Sequence, residues 1–368
     1  MSHLRIFGEM NEGQKELLGY LVKIQDPRID RRKLHQLSDI LFLSISACFC
    51  GCDSWEDIYE FAQIQEDWLK KYIALSNGIP SPDTIARVFS LIDPEEFETA
   101  FRDWVGSCYR VEAGKVIAID GKRLRSSYGQ SKSAIHMVGA FATEAGLVLG
   151  QVKTETKSNE IGAISELLDK LVLKGCIVTL DAMGCQRALV EKIQKQGGDY
   201  VISLKGNQGS LHEAVRLFLT AEKDKDFKSR PHDFYETLEK GHGRIETRRY
   251  WITDQINWLE NKEQWTGLRS IGLVESTREI KGKVSCELRC FICSIKPDAK
   301  QFAKAVRQHW AIENNLHWQL DVSFVEDKLR TRMGYAAQNL AIMRRMVLNT
   351  LKLDTQSKGS LKGKRKKA

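Results

Sequence analysis

Lys115-Val116-Ile117-Ala118-Ile119-Asp120-Gly121-Lys122 is a short, unbroken apolar run that ends on a carboxylate. Without polar alternation, such a run suits a central strand buried on both faces. A second run of the same kind, Ile177-Val178-Thr179-Leu180-Asp181-Ala182-Met183, ends the same way. Carboxylates at the ends of buried strands are costly unless something cationic meets them. Read singly, each has a plainer role: Asp-Gly is common in turns, and Asp181 could cap the next helix.

Working outward, Ile135 to Ala142 and Leu147 to Thr154 flank Thr143-Glu144-Ala145-Gly146 and read as a hairpin. A helix from Ile161 to Leu173 stops at Lys174-Gly175. Strand 177–180, helix 186–196 and strand Tyr200 to Leu204 follow, giving the order β-β-β-α-β-α-β. Three antiparallel strands and two right-handed crossovers form one mixed sheet. With the fourth strand beside the first, Asp120 and Asp181 stand on neighbours. This is the ribonuclease H-like arrangement, an α/β fold.

The segments on either side differ in pattern. Residues 1–110 read as an all-helical module, with helical recurrence from Leu34 to Ala62, a break at Gly51-Cys52-Asp53-Ser54, and a helix start at Ser81-Pro82-Asp83-Thr84. Residues 111–353 hold the mixed sheet, interrupted at about 223–297 by a β-rich insertion with strands at Ile245 to Ile252, Ser270 to Ser276 and Lys283 to Ile295. That insertion is the simplest account of the 132-residue step from Asp181 to Glu313. Glu313 lies in His309-Trp310-Ala311-Ile312-Glu313-Asn314-Asn315-Leu316-His317-Trp318, part of a helix from Asp298 to about Asp321. Residues four apart share a helix face, so Glu313, His317 and Asp321 form a polar stripe beside an apolar one of Ile312, Leu316 and Leu320. Glu313 alone could be a solvated helix residue; over two strand-end aspartates it completes a three-acid site.

Composition bounds the function classes. The 368 residues, 42% hydrophobic and 28% charged, fit a globular chain of two or three domains. No apolar stretch approaches the roughly 20 residues of a membrane span, and charges interrupt the N-terminus, Met1 to Met10, as no signal peptide allows. The expected location is cytoplasmic, with no membrane partner. Nine scattered cysteines point to reduced thiols; Cys286, Cys290 and Cys293 lack the second pair that a zinc site would need. The net charge is +8, and the six basic residues within 358–368 account for all but +2 of it. Residues 354–368 thus read as a disordered basic tail that grips polyanions or aids solubility.

Three converging carboxylates make an oxygen-only site suited to Mg²⁺ or Mn²⁺, with two ions flanking a scissile phosphate. Basic residues sit where a nucleic-acid backbone would run: Lys122, Arg123 and Arg125 after Asp120, Lys205 with Asn207 after the fifth strand, and Arg244, Arg248 and Arg249 in the insertion. Such residues neutralise phosphates without reading bases. His242 reads as a loop histidine.

These residues, in this order, resemble the DDE transposases of ISAs1-type insertion sequences, the group with the H-repeat-associated transposase-like proteins. The resemblance runs nearly end to end, through Gly51-Cys52-Asp53-Ser54-Trp55, Ser81-Pro82-Asp83-Thr84, Ala118-Ile119-Asp120-Gly121-Lys122, Leu180-Asp181-Ala182, Lys205-Gly206-Asn207-Gln208, His242-Gly243-Arg244 and His309-Trp310-Ala311-Ile312-Glu313-Asn314. It implies Asp120, Asp181 and Glu313 as catalytic and metal-binding triad, cleavage and strand transfer at element ends on double-stranded DNA, a homo-oligomer on that DNA, and a nucleoid-associated bacterial protein. The broader family pattern has Tyr, Arg, Glu and Lys around the third acid. Glu313 keeps the Glu, while Val306, His309 and Leu320 stand in the other three places, which leaves Arg307, His309 and His317 as the phosphate-binding candidates. A nuclease without strand transfer and an inactive DNA-binding relic are the alternatives.

Overall fold

The computed structural model describes residues 12–127, 134–154, 159–241, 243–328 and 331–368. His242 and the first eleven residues lie outside them. Six helices come first: α1 (Glu12–Leu21), α2 (Leu37–Phe49), α3 (Trp55–Ile64), α4 (Glu66–Leu69), α5 (Pro82–Leu91) and α6 (Pro94–Cys108). Their starts follow local chemistry. Ser54 and Asp57 form a reciprocal capping box at α3, and Ser81 and Asp93 cap α5 and α6, each with Pro in the first turn. Twelve of the thirteen residues of α2 are buried, so it is the central helix of this group rather than an amphipathic surface one.

The sheet is built from β1 (Val116–Arg123), β2 (His136–Ala142), β3 (Leu147–Thr154), β4 (Ile177–Leu180) and β5 (Asp199–Leu204), with α7 (Glu160–Asp169) and α8 (Arg187–Lys195) as crossovers. β1 pairs antiparallel with β2 and parallel with β4, and β4 parallel with β5. The resulting order β3-β2-β1-β4-β5 is the ribonuclease H-like sheet.

After α9 (Gly209–Asp224) come β6 (Asp233–Gly241), β7 (Arg244–Thr253), β8 (Ser270–Ile280) and β9 (Lys283–Cys293). They do not form a separate body. β9 pairs antiparallel with β5, and β8, β7 and β6 follow, extending the sheet to nine strands. The far halves of these strands are exposed, as at Lys283 to Leu288. Cys290 packs into the core on one sheet face and Cys293 into that on the other, while Cys286 is exposed. The pleat that separates them rules out a shared ligand set.

The chain then returns through α10 (Ala299–His309), a π-helical turn (Glu313–His317), α11 (Trp318–Val322), α12 (Ala336–Leu353) and α13 (Leu361–Lys367). Gly272 on β8 lets α10 dock: a Cβ there would stand 2.4 Å from the ring of buried Phe302. α12 closes the core that α2, α3, α5 and α6 share with the sheet; Leu340, Met343, Met346 and Val347 join it.

The tail departs from expectation. Residues 361–367 are helical, capped by Ser360, and Arg365 is 4% exposed. Its guanidinium donates to the Cys48 carbonyl and the Ser323 carbonyl and pairs with Asp53 at 2.7 Å. A stretch rich in lysine looked unstructured because one of its cations has buried partners more than forty residues away.

Candidate active site

Strand register brings the first two acids level. β1 and β4 pair in parallel as Val116↔Ile177, Ile117↔Val178 and Ala118↔Thr179, and the same offset carries Asp120 beside Asp181. Alternation puts Asp120 on the face of Val116 and Ala118, and Asp181 on that of Ile177 and Thr179. That face meets α10, α12 and the π-helical turn, since Val116 and Ile177 pack with α10, and Ala118 with Leu316 and α12.

Across from them stands Glu313, the first residue of the π-helical turn. π turns insert one residue into a helix and recur at functional sites. Ile312, Leu316 and Leu320 are buried as the apolar stripe required, and the polar stripe faces the strands. His317 Nδ1 lies 3.7 Å from Asp120 Oδ2, and Asp321 accepts from Lys122 Nζ at 2.6 Å. Asp120, Asp181 and Glu313 line one cleft with Thr179, Ser203, Lys205, Arg289, His309 and Trp310.

The electrostatics are those of an acid cluster. Burial, with Asp181, Glu313 and Glu160 nearby, pushes the Asp120 carboxyl up to about 7 against the pull of the Gly121 backbone N–H. Burial also raises Glu313. Asp181 Oδ1 accepts from the backbone N–H groups of Met183 and Gly184 at 3.0 and 3.1 Å, which fixes its carboxylate at the strand end. Among the described residues no three acid, imidazole or thiol groups form a closed metal cage. Like charges hold such groups apart, and burial first, then the neighbouring carboxylates, disfavours the ionised form of Asp120.

The two histidines are neutral neighbours of the acids. Burial drives His309 down to about 4 despite Asp181, and its Nδ1 shares a 3.1 Å hydrogen bond with Thr179 Oγ1. Burial first, then Lys122 and Arg345, drives His317 down to about 3. The contact with Asp120 therefore joins a neutral imidazole to a carboxyl group. At neutral pH neither ring carries the positive charge that favours a phosphate.

The expected basic residues separate into two groups. Lys205 is exposed in the cleft, Arg123 is exposed beside Asp120 and Asp181, and Arg125 is exposed while its backbone N–H donates to Asp327 and its guanidinium lies 3.6 Å from the same carboxylate. Asn207 is exposed and donates to the Ala182 carbonyl at 2.7 Å, tying the loop after β5 to the loop that bears Asp181. The rest, like Arg125, have intramolecular partners. Lys122 is 7% exposed, held by Asp321 and near Glu326, which itself pairs with Arg345 at 3.0 Å. Arg248 is buried against Glu246 at 2.5 Å and Glu239 at 3.3 Å. Arg249 pairs with Glu236 and Glu275, Arg307 with Glu239, and Arg244 with Glu246 near the hairpin tip. Sequence reasoning missed Arg289, which lines the cleft 5.7 Å from the Trp310 ring, and Glu160. Arg289 lies on a strand whose pairing with β5 leaves no local signal; Glu160 precedes the helix that the apolar pattern marks.

Known proteins match along the whole of this architecture. The family model "Transposase DDE domain" matches residues 112–350, and the model of its associated domain matches residues 18–105. "Putative transposase YncI" of Escherichia coli O157:H7 is 44% identical over 96% of this chain and 91% of its own length. "H repeat-associated putative transposase YhhI" of Escherichia coli K12 is 43% identical over 96% of this chain and 95% of its own. Among solved structures, a piggyBac transposase synaptic complex with hairpin DNA aligns at TM-score 0.47 and 11% identity, over 95% of this chain and 76% of that one.

Proposed function

This chain belongs to the transposase DDE family, and from that premise we propose that it cuts DNA at the ends of an ISAs1-type insertion sequence and transfers the freed 3′-OH to target DNA. The observation that carries the reading is the register that levels Asp120 with Asp181 under Glu313 in one cleft. The donor set is all carboxylate oxygen, which fits Mg²⁺ or Mn²⁺ held by Asp120, Asp181 and Glu313. Two such ions would supply Lewis-acid charge to the attacking and departing oxygens of an in-line displacement.

The chain's own residues provide position and shape. Lys205 and Arg289 face the cleft and are suited to neutralise the phosphates on either side of the scissile bond. Arg123 and Arg125, exposed at the end of β1, extend that path. Asn207, by holding the Ala182 carbonyl, keeps the loop of Asp181 in place. His317 acts as a neutral support beside Asp120. Two element ends call for two copies on double-stranded DNA, in the cytoplasm with the nucleoid.

The test is strand cleavage on the element's own terminal DNA with Mg²⁺ or Mn²⁺, comparing wild type with Glu313→Gln and Asp181→Asn. Metal-dependent nicking that both substitutions abolish, with DNA binding retained, is the expected result. Nicking that survives either substitution would remove the three-acid assignment. Binding with no nicking by the wild type would make the protein a relic, and nicking without joining would make it a nuclease.

A further inference from the structure

Asp120 and Asp181 also border a second, smaller cleft, lined with them by Gly121, Arg123, His136, Glu160 and Met183. Glu313 is not part of it. Glu160 is the first residue of α7, the crossover helix packed on β2 and β3. Its carboxylate lies over the backbone of β1. A Cβ built on Gly121 would stand 2.0 Å from Glu160 Oε1 and 2.8 Å from its Cδ. Gly121 is not in the left-handed region, so it is the space above it, and not its backbone conformation, that requires glycine. Hydrogen at this position lets a fourth carboxylate reach the strand end that bears Asp120.

We infer that Glu160 is a fourth carboxylate of the site, helping Asp120 and Asp181 hold a hard divalent cation on the side away from Glu313. This rests on the three-acid reading above and deepens it. The donor chemistry is uniform, since every contributing atom is a carboxylate oxygen, as Mg²⁺ and Mn²⁺ prefer. An acid in the first turn of a helix also has a plainer use, favourable interaction with the helix dipole. That use needs no cleared space over β1 and no place in the cleft that the strand-end acids line. It affects stability and leaves cation affinity unchanged.

The experiment is a Mn²⁺ titration of the full chain without DNA, with free Mn²⁺ followed by electron paramagnetic resonance, so that no catalysis is required. Glu160→Gln is expected to weaken Mn²⁺ binding about 10- to 100-fold, the range seen when a supporting group of a metal site is removed. Glu160→Asp is expected to recover part of it. Gly121→Ala displaces only the flexible end of Glu160 and is expected to weaken binding in the same direction; it decides the matter if Glu160→Gln does not fold. Wild-type affinity in Glu160→Gln, with binding lost in Asp181→Asn, overturns the role of Glu160 and leaves the three acids intact. Wild-type affinity in Asp181→Asn overturns the three-acid reading itself.

Discussion

Glu98 shows what one buried acid does to the pH response of the whole chain. It is 3% exposed on α6, accepts from the Gln151 N–H at 2.8 Å, and its other oxygen has no hydrogen-bond partner. Burial pushes its pKa up to about 8 from an ordinary 4.5, against the pull of that N–H and of Arg102 and Arg345. Between those values the folded chain keeps a proton that the unfolded chain has released, so stability falls as pH rises across the window. Asp120, raised from 3.8 to about 7, adds a slope of the same sign. Glu98→Gln should therefore flatten, though not abolish, the fall in urea midpoint between pH 5 and pH 8. A wild-type slope in the variant would mean that Glu98 ionises freely in the folded state. Arg345 gives a second test among residues. It is 2% exposed against Glu326 at 1%, and removing one partner of such a pair typically costs about 3–5 kcal/mol. Urea denaturation of Arg345→Met should show a loss of that order, and the further change Glu326→Leu should recover much of it.

At the scale of elements, α10 carries the consequence of one missing side chain. Gly272→Ala would press a methyl group into the Phe302 ring, at about 1–3 kcal/mol for overpacking of this kind. α10 leads to His309 and the π-helical turn that presents Glu313, so a shift of its axis would reach them. Cleavage should fall further than stability does, measured as nicking rate against thermal midpoint on the same preparation. The apolar runs of β1 and β4 were legible because burial on both faces leaves no polar alternation to confuse them, and so were the acids at their ends. α2 was legible for the same reason, and the stripe of Ile312, Leu316 and Leu320 by its recurrence every four residues on one helix face. β6 was not: its burial pattern is nearly all exposed, and a strand held by one neighbour at a sheet edge carries little hydrophobic signal. The π turn was not legible either, because an extra residue in one turn alters hydrogen bonding without altering composition. Lys122 read as a free cation because its acidic partner, Asp321, arrives from α11. Arg248 was legible in principle, since Glu246 stands two residues back on the same strand and only Glu239 comes from across the β-ladder. Local sequence carries no record of a partner 199 positions away.

For the whole molecule, the C-terminal helix acts as a fastener. Arg365 bonds the end of α2 through Cys48 and the end of α11 through Ser323, and neutralises Asp53. Its cation also lies 4.3 Å from the Phe324 ring. Arg365→Ala should lower stability by about 1.5–3 kcal/mol, the scale for hydrogen bonds made by a charged group. Its effect on non-specific DNA affinity should be small, since that guanidinium faces inward; equilibrium unfolding and a filter-binding assay on random duplex would check both.

The lateness of α12 has a consequence for defective copies of the gene. The core of the first hundred residues is closed by Leu340, Met343, Met346 and Val347, which a ribosome reaches only after the third acid. A message that ends early leaves that core open to solvent, whatever else it encodes. Such a product should be insoluble and degraded, not retained as a DNA-bound competitor of the intact protein. On that expectation the last long helix would act as a check on the chain: a copy that has lost its end should fail to fold before it can interfere.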